Sequence, residues 1–137
     1  MQLHLTADSK ISEIQKEFHH YYSYLKIEFY SEPHKAGELS REKYRIAHDK
    51  KISEVGKKGI NEVYEWNEET TVKEFEKNLF EICGLSVQVF RKSVNIWLET
   101  SITDKWTLEK QNQEARLMVL AIYEAQHPVI EEADFER

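Results

Sequence analysis

Hydrophobic positions along the chain change period twice in the same way. In residues 9–30, SKISEIQKEFHHYYSYLKIEFY, Ile11, Ile14, Phe18 and Tyr21 recur at helical steps. Leu25, Ile27 and Phe29 then alternate. In residues 70–90, TTVKEFEKNLFEICGLSVQVF, Val72, Phe75, Leu79 and Ile82 repeat the first pattern, and Leu85, Val87 and Val89 repeat the second. A period near 3.6 giving way to a period of 2 marks a helix feeding a strand. Each unit is preceded by a short alternating run: Met1, Leu3 and Leu5 before the first, and INEVYEW before the second, with Tyr64 and Trp66 on its inward side.

Local signals sharpen the boundaries. Thr6 to Ser9 offers N-cap residues for the first helix. Thr71-Val-Lys-Glu74 is a capping box, and Gly84 is placed for a left-handed helix stop. KKISEVGKKG (50–59) reads as a short helix with Ile52 and Val55 inward, ended by Gly56 or Gly59. NIWLET (95–100) forms a hairpin with the preceding strand. A turn centred on Ser93–Val94 pairs Phe90 with Trp97 and Val89 with Leu98. A last helix begins near Thr103–Thr107 and runs to about Gln126, before Pro128. Its stretch LMVLAIY (117–123) is apolar almost all round, a pattern that calls for cover on every side.

The element order predicts one α+β domain over 1–137, a ferredoxin-like βαβ-βαβ core with an inserted loop and short helix, an extra hairpin strand and a C-terminal helix. The alternative is a mixed sheet with the first two strands adjacent and parallel. Residues 31–58 read as an insertion between the repeats, and 128–137 as a fraying acidic tail. Leu25, Ile27, Phe29, Val87, Val89, Ile96 and Leu98 are expected to face the helices. The opposite face carries Tyr24, Tyr30, Phe90 and Trp97, an aromatic surface expected to be covered by the last helix or by a partner.

Composition narrows the function classes. The chain has 137 residues, 40% hydrophobic and 32% charged, with net charge −6. That charge opposes general attraction to nucleic acid or anionic membrane. Aromatic residues on an open sheet suggest an RNA-stacking platform, but the sheet face is not strongly basic. No run approaches the ~20 apolar residues of a membrane span, and no secretory signal is visible at the N-terminus. Cys83 is the only cysteine. It fits a reducing compartment, hence the cytoplasm, and reads as a packed thiol.

Candidate chemistry is sparse. Adjacent helix positions diverge by about 100°, so His19 and His20 are poorly placed to chelate one ion. No metal, calcium or phosphate-cradle motif is present, so no metal or cofactor is expected. The paired glutamates lie in surface contexts, and no catalytic residue stands out. Residues 32–58 are the exception to the acidic balance, with eight Lys/Arg against five Asp/Glu. His34, Lys35, Arg41, Arg45 and His48 there form a candidate site for an anionic ligand.

The stretch GLSVQVFRKSVNIWLETSITDKWTLEKQNQEA (84–115) resembles a small family of conserved, uncharacterised bacterial proteins, and YLKIEFYSEPHKAG (24–37) is similar to it as well. The resemblance implies no activity, substrate or site residue. The sequence supports a non-enzymatic interaction module, expected to be a homodimer with Leu117, Leu120 and Tyr123 at its interface. The rival reading is a small anionic-ligand-binding protein, or an enzyme, using the 34–48 loop.

Overall fold

The computed structural model describes residues 1–32 and 42–128. In chain order the elements are β1 (Gln2–Thr6), α1 (Ile11–Tyr21), β2 (Leu25–Tyr30), a 3-10 turn (Glu42–Tyr44), α2 (Ile52–Val55), β3 (Asn61–Glu65), α3 (Val72–Cys83), β4 (Ser86–Ser93), β5 (Ile96–Glu99) and α4 (Leu108–Gln126). The fold is mixed α+β, with two antiparallel sheets: β1 with β3, and β2-β4-β5 in that order. A ferredoxin-like core would join the four repeat strands in one sheet. Among the described residues they form two ladders instead, and β1 and β2 are not hydrogen-bonded neighbours. Each strand of the first repeat pairs with its own counterpart in the second. Leu3 stands opposite Tyr64 in one ladder, and Glu28 opposite Gln88 in the other. These two pairs mark a pseudo-two-fold axis.

The duplication extends past the helix-strand units. Ile11 N donates to Lys50 O and Ser12 N to His48 O; in the second repeat Val72 N donates to Trp106 O and Lys73 N to Asp104 O. Ile52 N donates to Ser9 O, and Leu108 N to Thr70 O. Lys10 bridges Lys51, as Thr71 bridges Thr107. The start of α2 is therefore tied to the start of α1 as the start of α4 is tied to that of α3. Tyr30 bridges Arg45 much as Phe90 pairs with Glu99. The described residues 42–58 and the segment 91–126, which read from sequence as unrepeated, share this frame.

One core joins both repeats. α1 packs on β1 and β2, α3 on β4, and α4 on β4 and β2. Ile11, Ile14 and Phe18 of α1 meet Val72, Phe75, Leu79 and Cys83 of α3, with Leu25, Ile27, Phe29, Val87 and Val89 beneath them. Phe18 lies 5.1 Å from Phe75 and 5.2 Å from Tyr22 between ring centroids, and Trp66 stacks on Tyr64 at 5.5 Å. Aromatic pairs in such tilted or offset arrangements add about 0.5–1.5 kcal/mol beyond burial. The Trp66 indole donates to the Tyr22 hydroxyl at 2.9 Å, which satisfies both buried polar groups.

The caps follow the sequence in the second repeat. Thr71 Oγ1 accepts from Glu74 N at 3.1 Å, the Glu74 carboxylate accepts from Thr71 N at 3.1 Å, and Gly84 takes φ +70°. In the first repeat the N-cap position is Lys10, whose N–H donates to Glu13 Oε1 at 2.8 Å. A lysine ammonium cannot accept a hydrogen bond, so this cap is one-sided.

The hairpin differs from the expected register. Phe90 pairs with Glu99, Arg91 with Leu98, Lys92 with Trp97 and Ser93 with Ile96. The turn is therefore Val94–Asn95, and no non-glycine residue among those described has positive φ. Val89 lies beyond the ladder and accepts from Thr100 N at 3.3 Å instead. Ile96 is 60% exposed and Leu98 is also exposed, so neither continues the buried face of β4 as the alternation suggested.

Candidate functional site

Alternation along β2 turns Leu25, Ile27 and Phe29 into the core and leaves Lys26, Glu28 and Tyr30 on the other side. Glu28 is nonetheless buried, its side chain 6% exposed. Its Oε1 accepts from Gln15 Nε2 at 2.9 Å and lies 2.9 Å from His48 Nε2. Its Oε2 lies 3.4 Å from Lys26 Nζ and 3.9 Å from Arg45 Nη1. A buried carboxylate needs such partners, because desolvation of an unpaired charge is costly. These partners come from α1, β2 and the segment after the 3-10 turn, so Glu28 ties all three together.

Around it α1 closes the free edge of β2. Gln15 Nε2 also donates to Ile27 O at 2.8 Å, and His19 Nδ1 bonds Leu25 O at 2.8 Å. Carbonyl oxygens only accept, so His19 Nδ1 carries its proton there. The Leu25–Ile27 part of this edge is thus capped by side chains, and further along Ile46 N donates to Phe29 O at 2.8 Å. Between α1 and this edge runs an open groove of about 530 Å³, with Glu28, Ile27 and Lys26 on one wall and Ser12, Lys16 and His20 on the other. Its size lies within the range of small-molecule sites.

The candidate residues divide between several places. Arg45 and His48 meet at Glu28, and Arg45 Nε also donates to Glu42 Oε1 at 2.7 Å. His34, Lys35 and Arg41 lie outside the described residues. Tyr30 is buried, and Tyr24 N donates to Asn112 Oδ1 of α4 at 3.0 Å. Phe90 and Trp97 are half-buried, and the Lys26 ammonium lies 5.4 Å and 5.1 Å from their ring centroids. A lysine from the neighbouring strand, not α4, occupies this aromatic surface. α4 lies toward Arg91 and Leu98, where Ala115 and Met118 line a cleft with them.

Leu117, Leu120 and Tyr123 fall on the far half of α4. The near half buries Leu108, Gln111 and Ala115. Beyond Ala115 no residue of the helix is buried, and Leu117, Met118 and Tyr123 are 47%, 54% and 58% exposed.

Cys83 is buried, and burial pushes its thiol up to about 12. A thiol so shifted is a poor nucleophile. Burial likewise pushes the Tyr22 hydroxyl up to about 12 and raises that of Tyr64. The hydrogen bonds from Thr71 hold the Glu74 carboxyl below its ordinary range. Among the described residues no cluster of His, Cys, Asp or Glu is arranged to hold a metal ion, and no helix is long and apolar enough to cross a membrane.

Reading the paired glutamates did not reveal Glu28, because its partners stand at positions 15, 26, 45 and 48. One signal was present: LKIEF and LSVQV each set a polar residue, Glu28 and Gln88, between inward apolar ones. No family model, curated protein or solved structure matches this chain.

Proposed function

We propose that this protein is a non-enzymatic interaction module that pairs with a second copy of itself through the C-terminal half of α4. The carrying observation is the abrupt change along one helix: Leu108, Gln111 and Ala115 are buried, whereas Leu117, Met118, Leu120 and Tyr123 are open to solvent. Contiguous apolar surface of this kind marks a contact site. The counterpart helix α2 is only 4 residues long, against 19 for α4, so the shared frame does not require the extension.

A second copy suits the surface because the helix is self-complementary. In an antiparallel pair centred on Leu120, Leu117 lies level with Tyr123 of the other copy. Arg116 and Glu124 flank Leu120 at equal distance along the chain, so each Arg116 meets a Glu124. Such a two-fold interface uses the same patch on both copies. The single buried thiol suits a reducing compartment, and we assign the protein to the cytoplasm.

Light scattering after gel filtration tests this reading. The expected particle has about twice the 16.4 kDa chain mass. Leu120→Glu, at an exposed position, should return it to a monomer without loss of fold. A wild-type monomer at every concentration overturns the proposal.

A further inference from the structure

The groove beside Glu28 is a second, independent feature, and its chemistry is read best against its mate. The shared backbone bonds make His48 the counterpart of Asp104 and Ser12 that of Lys73. Following α1 and α3 from there, Gln15, Lys16, His19 and His20 correspond to Glu76, Lys77, Phe80 and Glu81. Glu28 corresponds to Gln88 across the axis. The same frame therefore accepts Glu76, Glu81, Asp104 and Phe80 in the second repeat where the first has Gln15, His20, His48 and His19. Packing does not dictate the difference. Nor does it demand a charge at position 28, because Gln88 is equally buried and simply donates to Val89 O at 3.0 Å.

What sets the first repeat apart is fewer acids: its groove has Lys16 and Lys26 against Glu28, whereas the mate positions carry Lys73 and Lys77 against Glu76, Glu81 and Asp104. Lys16 makes no ion pair within the described residues. Lys26 and His48 converge on the single carboxylate, with His19 and His20 on the α1 side. Field lines from such a groove favour an anion. At its wall, Glu28 Oε2 has, among the described residues, only the two long contacts at 3.4 Å and 3.9 Å, which leaves it capacity to accept from a ligand hydroxyl. The volume exceeds that of a bare inorganic anion.

We infer that the groove between α1 and the edge of β2 binds a small hydroxylated organic anion. Its phosphate or carboxylate sits among Lys16, His20 and His48, and its hydroxyl donates to Glu28. Arg45 holds Glu28 from behind. The inference stands whether or not α4 forms a dimer contact.

Glycerol 3-phosphate, inorganic phosphate and glycerol, titrated separately while backbone amide shifts are followed, test it. Glycerol 3-phosphate should shift amides around residues 12–20 and 26–28 and bind more tightly than phosphate, and glycerol should not bind. Lys16→Glu, on the surface, should weaken glycerol 3-phosphate by about tenfold or more, the size of one lost charge-assisted contact. Lys77→Glu, the same change at the mate position, should leave binding unaltered. Glu28→Gln should erase the preference over inorganic phosphate while keeping the anion affinity. No shifts with either anion, or equal weakening by Lys16→Glu and Lys77→Glu, would overturn the inference.

Discussion

The two repeats hold the same backbone frame and have put it to different uses. In the first, the helix that follows the sheet is a single turn, Ile52–Val55, and the edge of β2 carries a buried glutamate ringed by Gln15, Lys26, Arg45 and His48. In the second, the corresponding helix runs from Leu108 to Gln126, the buried position is the neutral Gln88, and the mate groove positions carry Glu76, Glu81, Asp104 and Phe80 beside Lys73 and Lys77. A frame held by backbone hydrogen bonds leaves side chains free to diverge. The residues that differ between mates are thus better guides to function than those that agree.

If the repeats share one core, damage to either should cost the whole. Phe18→Ala and Phe75→Ala should each destabilise by about 3–5 kcal/mol. The rings lie 5.1 Å apart, so the double variant should lose less than the sum. Urea unfolding in a single transition for all three would support one core, and two transitions would split the repeats. A smaller effect probes their junction. A Cβ on Gly56 would meet Cys83 O at 2.6 Å. Gly56→Ala should therefore cost about 1–3 kcal/mol, as overpacking against backbone does. An unchanged stability would mean that α2 does not abut the end of α3.

The caps give a finer contrast. Thr71→Ala removes a reciprocal cap and should cost about 1 kcal/mol. Lys10→Ala removes a side chain that caps nothing and should stay within about 0.5 kcal/mol. Equal losses would erase the difference between the two helix starts.

The smallest effects are in pH. Glu74 is held below its ordinary range, so the cap's contribution is present above the usual carboxylate range and fades as pH falls through the lowered value. Thr71→Ala should flatten that acid limb of the melting temperature. Tyr22, Tyr64 and Cys83 are raised by burial. Their contribution is complete below the ordinary thiol and phenol ranges and declines as pH climbs toward about 12. A melting temperature that stayed flat over that alkaline interval would contradict the burial of these groups.

Much of this architecture was legible in the chain. The change of period located α1, β2, α3 and β4, and the Thr71–Glu74 box and Gly84 fixed both ends of α3, because these signals are local. Strand pairing was not legible. Alternation says which side of β2 is buried but not that its neighbour is β4, so a ferredoxin-like sheet and two separate ladders look the same. The hairpin register slipped because Val94–Asn95 carries no turn signature. Equivalence of 42–58 with the stretch after residue 91 rests on backbone bonds such as Ser12 N to His48 O and Lys73 N to Asp104 O, which leave no mark in side-chain pattern. Glu28 was hidden for a related reason. Its neighbours are distant in sequence and reach it only once α1 lies along β2. The apolar run of α4 was plain, although no cover for it lies among the described residues.

The long helix of the second repeat is the proposed contact between copies. Sedimentation velocity on the wild type, Arg116→Glu, Glu124→Arg and the double reversal tests it most directly. The wild type and the double variant should both sediment at about twice the 16.4 kDa chain mass, and each single reversal should shift toward the monomer. Single reversals that leave the dimer intact, or a double variant that stays monomeric, would contradict antiparallel pairing through α4.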